Sequence, residues 1–149
     1  MSSLNVTTVN LHPRRAARQC VLEALFAYQF SKNERTEIIN QLVNKNPDLK
    51  NHYDFIKSLF DTVFTKMDWA EKLIKVHLEN WELDRVANID KILLKMGICE
   101  IYFISEIPPK VTITEMVEIA KIYSTDESPI FINGILDAVF KDYLKENKE

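Results

Sequence analysis

The sequence predicts an all-α fold of about seven helices in two small packed bundles, and three observations predict it. Only two of the 149 residues are glycine, Gly97 and Gly134. Hairpin turns draw on glycine for positive φ, so a hairpin-rich sheet protein is excluded. Apolar residues recur three and four apart through almost every stretch, the period of a helix with one face in a core. The breaks between stretches fall at prolines and at Ser, Thr, Asp or Asn, the residues that open and close helices. At 46% hydrophobic and 28% charged residues, the chain has the composition of a globular domain and the length to bury a core without disulfides or metals.

The elements follow in order. From Pro13 to Phe30, Ala17, Val21, Ala24, Leu25 and Tyr28 fit the apolar template, and Pro13 suits a first helical turn. A short helix over Thr36–Asn46 ends before Pro47. A third runs from Asn51 to Lys66 with Phe55, Ile56, Leu59, Phe60 and Val63 inward. Asp68 is placed to cap a fourth, which carries Leu73, Ile74 and Leu78 and ends near Trp81. Asn88 or Asp90 opens a long apolar helix through Ile104, which Pro108-Pro109 stops, with Pro108-Pro109-Lys110 read as a loop. Thr112 and Glu115 have capping-box spacing ahead of Met116, Ile119, Ala120 and Tyr123. Ser128-Pro129 starts the last helix, whose inward set is Ile132, Ile135, Leu136, Val139, Phe140 and Tyr143. Residues 1–12 read as a flexible N-terminal segment and residues 13–149 as one all-helical domain. Gly97 and Gly134 lie within helical patterns, where each costs about 1 kcal/mol against alanine. Close approach of two helices, even of the two glycines to each other, offsets that cost; a helix break at Gly97 or ligand approach are the alternatives.

Several function classes fall away. A P-loop, a dinucleotide-binding GxGxxG and a GxSxG elbow each need clustered glycines. Cys20 and Cys99 read as buried thiols, and His12, His52 and His77 are scattered, so neither a metal site nor a cofactor is expected. The acids Asp126 and Glu127 precede a helix, where the dipole favours them without catalysis. No catalytic residue is nominated. The first dozen residues have no basic n-region or apolar run, and no stretch reaches membrane-spanning length, which reads as a cytoplasmic protein with no membrane partner.

Charge supplies the functional signal. Arg14, Arg15 and Arg18 fall within five residues, and the first 22 residues hold no Asp or Glu, although the whole chain carries −3. All three project from the first two turns of helix one on one flank. They stand at the positive end of the helix dipole, where an anion is favoured and a cation is not. Arginine binds phosphate through a planar fork, and Gln19, Phe26 and Tyr28 on the same helix offer polar contact or stacking to an unpaired nucleic acid. A solvated basic face is the plain alternative for the arginines, and core packing is the plain alternative for the aromatics.

Taken together, the motifs resemble the NusB family of bacterial transcription antitermination factors. Arg14-Arg15-Ala16-Ala17-Arg18 followed by Ala24-Leu25-Phe26-Ala27-Tyr28-Gln29 is similar to the family's arginine-rich first helix. Trp81 with Arg85, and Asp90-Lys91-Ile92-Leu93-Leu94-Lys95-Met96-Gly97 with Glu100, resemble its central helix. Pro109-Lys110-Val111-Thr112-Ile113-Thr114-Glu115, Glu118-Ile119-Ala120-Lys121 and Phe131-Ile132-Asn133-Gly134-Ile135-Leu136-Asp137 resemble its C-terminal signatures. Phe26 and Cys99 stand where tyrosine is frequent in the family, and Thr114 where asparagine is common.

The resemblance implies a NusB-like all-helical fold. It also implies binding of boxA-type single-stranded RNA together with NusE, a small-subunit ribosomal protein, inside an RNA polymerase antitermination complex during rRNA transcription. By position it implies RNA phosphate contacts for Arg14, Arg15 and Arg18, and RNA proximity for Phe26, Tyr28 and His77. Asp90, Asp126 and Glu127 match positions near the RNA or the partner. A homodimer stays open, and the rival reading is a non-catalytic helical adaptor that binds protein and no RNA.

Overall fold

The computed structural model describes residues 13–79 and 82–147. Residues 1–12, read above as a flexible segment, lie outside the described residues, as does Trp81. Among the described residues there are seven α-helices and no strand: α1 Pro13–Phe30, α2 Arg35–Lys45, α3 Tyr53–Thr65, α4 Met67–Val76, α5 Asn88–Phe103, α6 Pro109–Tyr123 and α7 Ser128–Glu146. Two 3-10 segments, Pro47–His52 and Leu83–Arg85, join α2 to α3 and α4 to α5. The chain divides into two compact units, residues 1–60 and 61–149, with the boundary inside α3.

In the first unit α1 lies against α2 and against the 3-10 segment that follows it. Its core is made by Ala17, Val21, Leu22 and Leu25 of α1, Ile38, Ile39 and Val43 of α2, Leu49, and Phe55, Ile56, Leu59 and Phe60 of α3. In the second unit α5 is the centre, packed on α4, α6 and α7. From Ile92 to Ile101 every residue of α5 is buried, as a helix apolar on all sides must be. The two charged residues within that stretch are satisfied where they lie. Lys95 Nζ is 2.7 Å from Glu71 Oε2, and Glu100 Oε1 accepts the Thr112 hydroxyl at 2.8 Å.

The structure corrects several expected helix ends. Asp68 does not cap α4; Lys66 stands at the N-cap and Asp68 lies in the first turn. The α4 helix stops at Val76, and the 3-10 turn at Leu83–Arg85 comes before α5. Of the two residues expected to open α5, Asn88 is its first residue, with Ala87 at the N-cap, and Asp90 lies in the first turn. Pro109 and Lys110 do not form a loop: Pro109 is the first residue of α6, its fixed φ already suited to a first turn. Thr112 is therefore inside the helix and buried, and its hydroxyl serves Glu100 instead of a capping box.

The two glycines do not meet. A Cβ on Gly97 would stand 2.7 Å from Leu136 Cδ1, so α5 and α7 approach closely there. A Cβ on Gly134 would meet nothing within 4 Å. Both cysteines are buried free thiols. Burial pushes Cys20 up to about 11 and Cys99 up to about 12.

Candidate nucleic-acid interface

The candidate residues of the first unit all come from α1, which holds no acidic residue in its first turn. Arg14 and Arg15 are half-buried, whereas Arg18 is only 2% exposed. The expected common flank is thus split by depth. The guanidinium carbon of Arg14 lies 4.3 Å from the centroid of the Phe55 ring, and that of Arg18 lies 5.3 Å from it. Cation–π attraction of this kind strengthens as water is excluded, so Phe55 holds two positive charges at the head of α1.

Further along α1 the aromatics divide. Tyr28 is half-buried, its ring edge-on to Phe60 at 6.3 Å. Phe26 is 40% exposed and Phe30 74%, with ring centroids 5.1 Å apart. Phe30 and Phe55 were not singled out in the sequence. Phe30 looked like the end of a helix, and Phe55 fitted the apolar period of α3, so neither carried a signal separable from core packing.

The candidates of the second unit occupy two separate places. Asp90 is 5% exposed and accepts two hydroxyls, from Ser124 to Oδ1 and from Ser128 to Oδ2, each at 2.7 Å. The Ser128 hydroxyl also lies 2.8 Å from that of Ser124 and 2.9 Å from that of Thr125. This cluster ties the first turn of α5 to the α6–α7 junction. Beside it is a cleft of about 190 Å³ lined by Arg85, Asp90, Thr125, Glu127, Ser128 and Phe131 among others. Glu127 is the N-cap residue of α7, and both it and Asp126 are exposed.

His77, just past the end of α4, is instead 2.7 Å from Asp142 through Nε2. Asp142 stands 15 residues after Glu127, about 22 Å along a helix axis. The structure therefore groups Asp90 and Glu127, and places His77 toward the other end of α7. Among the described residues, no three His, Cys, Asp or Glu side chains are grouped to hold a metal ion. No described helix is long and apolar enough to cross a membrane.

With this geometry in hand, likeness to known proteins can be weighed. The transcription antitermination protein NusB of Chloroherpeton thalassium is 37% identical over 131 residues, 87% of this chain and 62% of that protein. NusB of Salinibacter ruber is 37% identical over 133 residues, covering 87% and 81%, and NusB of Fervidobacterium nodosum is 37% identical over 135 residues, covering 91% and 95%. Among solved structures, T. maritima NusB matches with a TM-score of 0.77 at 30% identity, over 87% of this chain and 92% of that one. A chain from a crystal of NusB and NusE with double-stranded RNA has the same fold, with a TM-score of 0.77 at 24% identity over 87% and 97%. The NusB family model matches residues 15–141. That span begins at the second of the three arginines and ends within the last helix, and this chain belongs to the NusB family.

Proposed function

We propose that the protein is an RNA-binding transcription antitermination factor that holds boxA-type single-stranded RNA together with NusE, within an RNA polymerase antitermination complex during rRNA transcription. It acts in the cytoplasm and catalyses nothing. The observation that carries the reading is the head of α1, where three arginines, two of them ordered on Phe55, stand on a helix that also exposes aromatic rings. A NusB chain of this fold crystallised with NusE and an RNA supports the choice of partners.

In this reading Arg14 and Arg15 meet phosphates, the buried Arg18 orders Phe55, and Phe26 stacks on a base, with Tyr28 behind it. Glu127, Asp126 and Asp90 stand near the RNA or the partner at the α6–α7 junction, and His77 lies near the RNA from the end of α4. Two phosphate contacts give a log–log salt slope of about −1.4 on a single strand, so binding is modest until NusE adds a second surface.

Fluorescence anisotropy of a labelled boxA-type RNA, with and without NusE and against a scrambled RNA at the same salt, tests the reading. Tighter binding to boxA that strengthens with NusE supports it. Equal weak binding to both RNAs, unchanged by NusE, overturns it in favour of the protein-only adaptor.

A further inference from the structure

Phe30 is the most exposed of the aromatic rings named for their exposure, at 74%, and its centroid lies 5.1 Å from that of Phe26. Single apolar side chains scattered on a surface need no explanation, but two adjacent rings both held toward solvent form a patch. The planes are inclined at 57°, so the pair presents two facets rather than one flat sheet. Arg15, Gln19, Phe26 and Phe30 follow one another at spacings of four, seven and four residues, which places all four on one stripe of α1. Leu22, between Gln19 and Phe26, turns into the core, and Glu23 marks the stripe's margin. From Arg15 to Phe30 the stripe runs about 22 Å. A cation at one end and exposed aromatic rings at the other is the pairing that unpaired nucleic acid uses, phosphate on the charge and bases on the rings.

We infer that Phe30 is a second base-stacking position, so that Phe26 and Phe30 take two bases of the strand whose phosphate is held at Arg15. The inference rests on the RNA reading above. Its occupant is an unpaired base because the ring shares one side of α1 with the arginine and glutamine.

The test is a titration of labelled boxA-type RNA, with and without NusE, over a series of salt concentrations, using the full chain and three variants. Phe30→Ala removes one stacked base and lowers affinity by about 5- to 150-fold with the salt slope unchanged, since no phosphate contact is lost. Phe30→Trp keeps the affinity. Arg15→Ala lowers affinity and makes the slope shallower by about 0.7. If Arg15→Ala weakens binding while Phe30→Ala does not, no base sits on Phe30 and the inference fails with the RNA reading intact. Should Phe30→Ala change only self-association in sedimentation, the ring serves another copy and the inference also fails. When neither variant alters RNA binding, the RNA reading itself fails.

Discussion

Arg18 and Asp90 entered as candidate binding residues, and each is also a structural element of its own unit. Arg18 is 2% exposed with its guanidinium over Phe55, so Arg18→Ala removes cation–π attraction and the packing of a long side chain together. We expect it to lower stability by about 1–2 kcal/mol in urea denaturation, while Arg15→Ala stays within about 0.5 kcal/mol. Equal stability of the two variants would show that the depth difference along α1 has no energetic weight. Asp90→Ala removes the acceptor of both the Ser124 and Ser128 hydroxyls, leaving them only each other and Thr125, and is expected to cost about 1–3 kcal/mol, with Asp90→Asn costing less because one acceptor remains. Calorimetric melting checks both. These double roles were not legible in the sequence. An arginine on a helix or an acid near its start reads the same whether buried or bathed in water, and only the partner from a distant segment decides.

At the scale of the element, helix centres were legible and helix ends were not. The period of apolar residues placed α1 from Pro13 to Phe30 as observed, because a long run with one inward face has a single consistent register. The ends depend on which side chain is claimed by something else. Thr112 and Glu115 have the spacing of a capping box, yet Thr112 is taken by Glu100 of α5, and Pro109 begins the helix a turn earlier. The glycines behave in the same way, identical in pattern and opposite in use. Gly134→Ala is expected to raise stability by about 0.5–1 kcal/mol, because α7 gains helix propensity and the new methyl meets nothing. Gly97→Ala places its methyl 2.7 Å from a buried leucine and is expected to be destabilising despite the same propensity gain. Thermal melts of the two variants should therefore shift in opposite directions.

At the scale of the whole molecule, both units carry a buried acid that ionises only at high pH. The thiols of Cys20 and Cys99 are raised from an ordinary value near 9.0 to about 11 and about 12, chiefly by burial. Tyr102 is raised from 10.0 to about 12, first by burial and then by the charge of Glu146, which accepts its hydroxyl at 3.3 Å. The unfolded chain releases these protons first. Their contribution is therefore complete below about pH 9 and is lost as pH climbs toward 12. The melting temperature should fall steadily between about pH 9 and 11.5, and less steeply in a Cys20→Ala, Cys99→Ala double variant. A flat profile would show that the thiols ionise equally in both states. The all-helical class and the family were readable from composition and ordered motifs, since each rests on many residues at once. The division inside α3 was not, because Phe60 and Asp61 continue one helix without a break in pattern.

None of the described residues has a positive φ, and this holds for both glycines. The described residues of the joints between these helices are thus built from a right-handed or extended backbone that any L-residue adopts. At these positions an exposed side chain can change without rebuilding a turn. A change of charge at a junction such as the exposed Asp126-Glu127 therefore alters the surface without asking the backbone for a new conformation.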